Sequence, residues 1–463
     1  MNHAARTRTA PQVALFAALA VSVSACGRSI SVGNLLGQDP DPIPSSSPTP
    51  PASPLPDPVS VVNATALFSD TFDAHADWTP PQSSSGTTVS CSQGQACATP
   101  IPMGYYDYRV AAAEGCSNLD GSHHTLNINS LHPRGAAGKS FVMWNEPCYS
   151  SGGSWGSDGL LGVAFPPQNE VYVRFWIQFP SDWNWSTTSS PMQKFVHLSH
   201  YDVTNPASVW DFFSGNQNKP RYVGGLAKYG SGTYRTQLYM MPSPLTIARD
   251  NSASYTTNDY LGAPPLDWTN TNAPGDGNWH SFEWYTKLNT AGGVGDGQAK
   301  FWYDGNLIHN ESAVTWIPSG DLPSDFKWNH VWLGGNNSNL YSPVNEQRYA
   351  VDDFVVSAHY SGPPPKPLKP VAQSSTAGKA QLTWTAGDNG AQYLLSAYRI
   401  YYGTSADALN QSVTISDSAT NYELSGLTSG QTYYFQVTAV NRASYDSNES
   451  ESLKSAVVSV VVN

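Results

Sequence analysis

Charged residues are scarce in this 463-residue chain, since only 13% of its positions are Asp, Glu, Lys or Arg. A typical globular protein is about one quarter charged, and helices display much of that charge, so a mainly helical protein is excluded. Basic residues are the rarer kind, with 23 Lys and Arg against 35 Asp and Glu and a net charge of -12. Nucleic-acid binding, which needs a basic surface, is excluded as well. The aromatic content of 12% argues against wholesale disorder, and we expect a β-rich protein of about two or three domains.

The N-terminal apolar run, residues 13–25, is shorter than the roughly 20 residues that a membrane-spanning helix needs. It follows two arginines and fits the apolar core of a secretory signal peptide. Its end, VSAC at 23–26, resembles the bacterial lipobox and implies cleavage before Cys26 and lipid on its sulfur. An ordinary signal peptide with a chance cysteine is the alternative. We expect a signal peptide at 1–25 and a location at an outer membrane or cell surface, with membrane contact only through the lipid.

Cysteine is also scarce, with five in the chain, and four of them follow the lipobox. An exported protein meets an oxidising compartment, where four cysteines favour disulfides and allow three connectivities. We favour Cys91–Cys97 together with Cys116–Cys148, because the first pair closes a short, glycine-containing loop. A zinc site is the competing interpretation, but the spacings match no usual zinc pattern.

Proline is concentrated in two segments that divide the chain. Nine of the twenty residues at 39–58 are proline, a composition typical of extended polyproline II. A second break, SGPPPKPLKP, covers residues 361–370. We therefore expect four parts after the signal peptide: a lipidated N-terminus and linker at 26–61, a central domain at 62–362, a proline-rich linker at 363–370 and a C-terminal domain at 371–463.

The C-terminal segment alternates polar and apolar residues with the period of two that is typical of β-strands. Trp384 lies in one such strand, and Leu427 precedes Tyr433 by six residues across a Thr-Ser-Gly turn. A core tryptophan followed by a leucine and a tyrosine corner resembles the fibronectin type III pattern. The resemblance implies a second β-sandwich without a disulfide, of the kind that usually serves secreted bacterial enzymes as a spacer.

The clearest strand of the central domain is VYVRFWIQF, residues 171–179. One of its faces is wholly apolar, and the other carries Tyr172, Arg174, Trp176 and Gln178. A core-facing side and a polar, aromatic side together fit one sheet of a β-sandwich. We expect the polar side to face the ligand.

Two further stretches resemble the concanavalin A-like jelly rolls. GNWHSFEWYTKLN…GQAKFWYDGNLI (277–308), with a hairpin turn at Asp304-Gly305, is similar to a hairpin of laminarinase-like hydrolases, lectin-like modules and jelly-roll polysaccharide lyases. RYAVDDFVVSAHYSGP (348–363) and ALFSDTFDAHADW (66–78) resemble the paired terminal strands of such domains. The resemblance implies an all-β protein, with a jelly-roll sandwich followed by the fibronectin type III sandwich. Because this fold hosts enzymes and lectins alike, activity has to be argued from the site.

The E-x-D-x-x-E motif of laminarinase-type glycosidases is absent. Retaining hydrolysis needs two carboxylates about 5 Å apart, whereas Glu283 stands alone on its strand and Asp352 and Asp353 point to opposite faces. β-Elimination from a uronic acid needs instead a group that neutralises the carboxylate, a base for the C5 proton and an acid for the leaving oxygen. A polysaccharide lyase is therefore favoured over a glycoside hydrolase.

Polar residues on the predicted groove strands can fill these roles. We predict Arg174 or Gln237 as the neutralising group, His197 or Lys194 as the base and Tyr239 as the acid. Basic residues cluster in the same stretch, which suits an anionic polysaccharide despite the acidic total. Each of these residues could instead be an ordinary surface or ion-pairing residue. Substrate contacts are predicted for Tyr172, Trp176, Gln193, His124, Arg235 and Trp332.

Asp70, Asp73 and Asp353 could hold a structural calcium ion, because hard cations bind carboxylate oxygens and the terminal strands pair in jelly rolls. Turn-forming aspartates are the alternative interpretation. No other cofactor is required, and a monomer acting on polysaccharide is expected. A non-catalytic, lectin-like lipoprotein for glycan binding or adhesion would share the fold and the aromatics, and it stays open as a second function.

Overall fold

The computed structural model describes residues 66–81, 88–111, 126–145, 157–181, 192–213, 220–229, 233–240, 255–256, 277–337, 347–391, 395–415, 418–441 and 450–463. These residues form strands and the turns that join them, together with one short 3₁₀ helix, Pro206–Phe213. Within these ranges no helix is long and apolar enough to cross a membrane.

Sixteen strands lie in the central domain, within the ranges just given. They are β1 (Phe68–Asp70), β2 (Thr88–Ser92), β3 (Asp107–Ala111), β4 (Leu126–Asn129), β5 (Ser140–Asn145), β6 (Ser157–Gln168), β7 (Glu170–Gln178), β8 (Met192–Ser199), β9 (Arg221–Tyr229), β10 (Thr233–Met240), β11 (Tyr255–Thr256), β12 (Trp279–Lys287), β13 (Gly297–Tyr303), β14 (Asn306–Val314), β15 (Trp328–Asn337) and β16 (Gln347–Ser357).

Two eight-stranded antiparallel sheets build the central domain. Sheet A has the strand order β14-β13-β12-β7-β16-β5-β4, with β1 also paired to β16. Sheet B has the order β11-β10-β9-β8-β15-β6-β3-β2. The first and last strands of the domain pair as the resemblance implied, with Phe68 opposite Val356. The all-β fold class is thereby confirmed.

Aromatic side chains from both sheets meet in one core. The apolar face predicted for β7 is fully buried there, and Phe175 lies 5.3 Å from Trp284 of the neighbouring strand, measured between ring centroids. Phe179, just after β7, lies 5.9 Å from Phe195 of sheet B. Since successive side chains of a strand point to opposite faces, this shared core fixes which residues of each sheet point outward.

Two local predictions are confirmed by the backbone. Asp304 and Gly305 connect β13 to β14 with φ values of 47° and 76°, both positive as a type I′ hairpin turn requires. Cys91 and Cys97 form a disulfide that closes the turn after β2. The second predicted disulfide, Cys116–Cys148, lies outside the described residues.

A second sandwich follows the central domain. Its strands are β17 (Leu368–Gln373), β18 (Lys379–Thr385), β19 (Leu395–Gly403), β20 (Gln411–Ile415), β21 (Asn421–Ser425), β22 (Thr432–Asn441), β23 (Ser450–Glu451) and β24 (Val458–Val461). One sheet has the order β17-β18-β21, and the other has β20-β19-β22-β23 with β24 also paired to β22. The first strand begins at Leu368, ahead of the predicted boundary at 371.

The core of this second sandwich contains the residues that carried the resemblance. Trp384 is 5% exposed and packs edge-on against Tyr398 at 5.1 Å. The hydroxyl of Tyr433 accepts a hydrogen bond of 3.3 Å from the backbone N–H of Thr428, which gives the predicted tyrosine corner. Leu427 is buried beside these residues.

Truncating the central aromatic of the first core tests this packing. Phe175→Ala removes a side chain that is 0% exposed, and the cavity should lower the free energy of unfolding by about 3–5 kcal/mol. Leu131→Ala is the control, because Leu131 is 64% exposed and its loss should change stability by less than about 0.5 kcal/mol. Urea denaturation measures both, and equal effects would contradict the core assignment.

Candidate active site

The outer face of sheet B carries a set of polar and aromatic side chains. Val196 and Leu198 of β8 and Val331 and Leu333 of β15 belong to the core. The alternation therefore turns His197 of β8 outward. On β15, the same alternation makes His330 and Trp332 face outward, and their rings lie 4.4 Å apart.

One row of residues crosses four strands of this face. His197 pairs with Trp332, Trp332 with Gly162, and Gly162 with Asp107. Gly162 has no side chain, and a Cβ there would lie 2.3 Å from Oδ1 of Asp107. The missing side chain of Gly162 leaves space for the Asp107 carboxylate, which can therefore contact residues of β15.

Asp107 is a buried acceptor at the centre of this row. Oδ2 lies 2.7 Å from Nε2 of His330, and Oδ1 accepts the indole N–H of Trp332. Asp107, His330 and Trp332 are all 0% exposed. Because an ionised carboxylate only accepts hydrogen bonds, we assign the His330 proton to Nε2. The buried charge is thus compensated, and the indole plane is fixed beside His197.

His197 lies among cations and aromatic rings. Burial lowers the pKa of its imidazole well below the ordinary value, and the charge of Lys194 lowers it further, followed by the smaller effect of Arg109. A hydrogen bond to the backbone of Gly334 acts in the opposite sense. Nδ1 of His197 has no hydrogen-bond partner within the described part of the chain. The imidazole is therefore neutral near pH 7 and keeps an uncommitted ring nitrogen.

Space for His197 and Lys194 comes from Gly335 on β15. A Cβ at this position would lie 2.6 Å from Cε1 of His197 and 2.7 Å from Cβ of Lys194. His197 is 4% exposed and Lys194 is 9% exposed. His197 and Lys194 are therefore neighbours on the outer face, and both lie against Gly335.

The 3₁₀ helix Pro206–Phe213 lies against the same face. Trp210 stacks on Trp332 with ring centroids 5.9 Å apart, and Phe212 packs edge-on against His197 at 5.5 Å. Nη1 of Arg221, at the start of β9, donates a hydrogen bond of 2.6 Å to the carbonyl of Phe212. Arg221 thus fixes the end of the helix to the sheet, and Phe212 at that end covers one side of the His197 ring.

Tyrosines complete the aromatic part of the face. Tyr106 and Tyr201 lie 5.2 Å apart, and Tyr201 lies 5.7 Å from the His330 ring. Burial raises the pKa of both phenols, so each hydroxyl stays protonated at neutral pH. The face therefore divides into a cationic half near His197 and a neutral aromatic half near His330.

Three predicted site residues come together on this face, namely Lys194, His197 and Trp332. The structure does not bring Arg174 to this face. Arg174 lies on sheet A, pairs across the strand with Glu283 and is 0% exposed, so both sheets and the core separate it from His197. Sheets in a sandwich pack about 10 Å apart, which puts the two outer faces out of reach of one sugar residue.

Tyr172 and Trp176 share the outer face of sheet A with Arg174, so the structure does not bring them together with His197 either. The Tyr172 ring lies 4.5 Å from Tyr285, and the guanidinium of Arg134 lies 3.8 Å from the centre of the Trp176 ring. Both aromatics are therefore packed against protein groups on the far side of the molecule.

The remaining predicted groove residues are placed by backbone register only. Gln237 and Tyr239 on β10 pair with Gly225 and Val223 on β9, which in turn pair with Lys194 and His197. Their side chains lie outside the described set, as do those of Gln193 and Arg235. His124 falls outside the described ranges altogether. The register puts β10 two strands from His197.

The three aspartates predicted to bind calcium each contact protein donors. Asp70 accepts hydrogen bonds from Tyr105 and from the backbone of Phe72, and Asp73 accepts one from the backbone of Lys139. Asp353 forms an ion pair with Arg134. No group of three or more His, Cys, Asp or Glu side chains in the described ranges is arranged to hold a metal ion. Calcium binding stays a prediction.

Three polar residues of the site were missed in the sequence, namely Asp107, Arg109 and His330. The signal for the first two was present, since DYRVA at 107–111 alternates polar and apolar residues. Asp107 and Arg109 share one face of β3, while Tyr108 and Val110 enter the core. His330 has no such pattern of charge around it in the sequence, and Arg221 belongs to the basic cluster that the sequence indicated.

Removing the central carboxylate tests this arrangement. Asp107→Ala leaves the N–H groups of His330 and Trp332 buried without an acceptor, which should lower the free energy of unfolding by roughly 2–5 kcal/mol. Urea denaturation followed by tryptophan fluorescence measures the loss. Asp407→Ala, at an exposed turn of the second sandwich, should change stability by less than about 0.5 kcal/mol. Similar values for the two variants would contradict the role of Asp107.

Comparison with known proteins gives a family for the C-terminal part. A mutant of alginate lyase Aly36B bound to an alginate trisaccharide is similar over 47% of this chain and 81% of its own, with 14% identity and a TM-score of 0.32. Alginate lyase vAL-1 from Chlorella virus is similar over 50% and 88%, with 14% identity and a TM-score of 0.35. An Fn3-like protein from Clostridium thermocellum is similar over 22% and 96%, with 24% identity and a TM-score of 0.18. No curated protein matches the chain in sequence. The fibronectin type III family model matches residues 363–456, and these residues form a fibronectin type III domain.

Proposed function

We propose that the outer face of sheet B cleaves a uronic-acid-containing polysaccharide by β-elimination. The observation that carries this proposal is the neutral imidazole of His197 beside the cations Lys194 and Arg109. A base must be unprotonated to accept a proton. Burial is the main cause that keeps His197 neutral, and the two cations that add to this effect also supply the charge that a uronate needs.

The chemistry assigns a task to each group. Lys194 and Arg109 would bind the uronate carboxylate and stabilise the negative charge that develops when C5 loses its proton. His197 would accept that proton on its free ring nitrogen. The electron pair of the C5–H bond forms a C4–C5 double bond as the C4–O bond breaks, and the leaving oxygen takes up a proton. Tyr239 stays the predicted donor of this last proton.

The aromatic half of the face would hold neighbouring sugar residues. Trp210 is partly exposed while it stacks on the buried Trp332. Flat aromatic rings suit the C–H faces of sugars, and a stack of two indoles is a rigid platform for them. Export as a surface lipoprotein, with a signal peptide at 1–25 and lipid on Cys26, is part of the same proposal, because an extracellular polysaccharide requires an exported protein.

Incubation with alginate, glucuronan, pectate and glycosaminoglycans tests the activity through the ultraviolet absorbance of the unsaturated product. The wild type should act on at least one of them, and His197→Asn should lower kcat by about 10²–10⁴-fold. His359→Asn is the matched control, because His359 is exposed beyond the end of β16 and should leave the rate unchanged. Retained activity in His197→Asn would refute the assignment, and binding without product would favour the lectin-like function.

The pH dependence follows from the burial of His197. Its lowered pKa means that the imidazole keeps its neutral form to lower pH than an exposed histidine, which loses it below about pH 6.5. The value of kcat/KM should therefore stay unchanged just below pH 7 and fall only at lower pH. An acid limb at about pH 6.5 that vanishes in His197→Asn would contradict the proposed environment.

A further inference from the structure

The outer face of sheet A is covered by the segment that leads into the fibronectin type III domain. Glu283 of β12 is 1% exposed, and its Oε1 accepts a hydrogen bond of 2.8 Å from the backbone N–H of Ser361. Its Oε2 accepts one of 2.6 Å from the backbone N–H of Gly362. Arg174 of β7 lies opposite Glu283 on the neighbouring strand. Two consecutive N–H groups and one guanidinium thus surround a single buried carboxylate.

This carboxylate is strongly desolvated. Burial raises the pKa of Glu283 to about 8, against the opposing effects of the Ser361 N–H, Arg174 and the Gly362 N–H. The oxygens of a carboxyl group are costly to bury unless they are hydrogen-bonded, and here the donors come from the interdomain segment. The segment therefore satisfies a group that would otherwise destabilise the central domain.

Gly362 contacts the central domain on one side and the fibronectin type III domain on the other. A Cβ at this position would lie 2.4 Å from Oε2 of Glu283, so only glycine fits against the carboxylate. On its other side, the carbonyl of Gly362 accepts a hydrogen bond of 2.9 Å from Nδ2 of Asn441, at the end of β22. One residue of the segment thus joins the central domain to the fibronectin type III domain.

A second connection is made by Asn389, in the loop after β18. Its Nδ2 donates 2.8 Å to the carbonyl of Gly305 in the β13–β14 hairpin and 3.3 Å to the hydroxyl of Tyr360. Its own carbonyl accepts a hydrogen bond of 2.9 Å from Nε1 of Trp302. Asn389 is 5% exposed, so these bonds lie in a closed interface.

Apolar packing surrounds these polar contacts. Trp302 packs edge-on against Tyr360 at 5.2 Å, and Ala391 of the fibronectin type III domain packs against the same cluster. The prolines of the connecting segment, at 363–365 and 367, are buried, unlike those of a solvated tether. Burial therefore extends from Ser361 to Pro365 and includes Pro367, whereas Lys366, Leu368 and Lys369 are exposed.

We infer that Glu283 and Asn389 lock the fibronectin type III domain onto sheet A, so that the two domains unfold as one body. The connecting segment acts as a fixed joint and not as a flexible spacer. This inference is independent of the proposed catalytic function, because the joint lies on the opposite side of the sandwich from His197.

Calorimetry of the full-length protein tests the joint. The wild type should unfold in one transition that includes both domains, with one narrow distribution of dimensions in small-angle scattering. Asn389→Ala and Trp302→Phe each remove interface hydrogen bonds, and each should split the transition in two and raise the radius of gyration. Asn421→Ala is the matched control, because Asn421 is exposed on the same domain and should keep the single transition.

Glu283→Gln gives an independent variant on the other side of the joint. Its amide N–H₂ would face one of the two backbone N–H donors, so one hydrogen bond between β12 and the connecting segment should be lost. The unfolding transition should therefore split in two, as in the other variants. Two separate transitions in the wild type would overturn the inference. It would also be overturned if Asn389→Ala and Trp302→Phe unfolded as a single unit like Asn421→Ala.

Discussion

Phe175, Phe282, Phe195 and Phe179 pack in a continuous row between the two sheets of the central domain, and this packing decides on which side of each sheet the neighbouring polar residues lie. Side chains alternate along a regular strand. Arg174, between the core residues Val173 and Phe175, therefore faces outward on sheet A, and His197, between Val196 and Leu198, faces outward on sheet B. A shift of one residue in either strand would exchange these faces and bring the polar groups into the core.

Both outer faces use a buried carboxylate to organise their surroundings. On sheet B, Asp107 accepts from His330 and Trp332 and so fixes the aromatic wall beside His197. On sheet A, Glu283 accepts from two consecutive backbone N–H groups and so fixes the segment between the domains. The same physical requirement, that the oxygens of a desolvated carboxyl group be hydrogen-bonded, orders side chains in one case and a chain connection in the other.

Local patterns in the sequence predicted the strands, the Asp304-Gly305 turn, the Cys91–Cys97 disulfide and the fibronectin type III domain, because each depends on residues close together in the chain. The candidate site was predicted only in part. Alternation in residues 171–179 separates two faces, but it does not say which of the two outer faces of a sandwich carries the ligand. Arg174 therefore could not be placed on one side of the sandwich from the sequence. Asp107 and His330 meet across 223 positions, and only the strand order of sheet B brings them together.

The connecting segment also bears on resistance to proteolysis. Its two lysines, Lys366 and Lys369, are exposed, but each is followed by a proline, and Pro365 and Pro367 on either side of Lys366 are buried. A protease must draw several residues of extended chain into its cleft, and proline restricts the backbone shapes available for this. The residues that join the two domains therefore also disfavour cleavage between them.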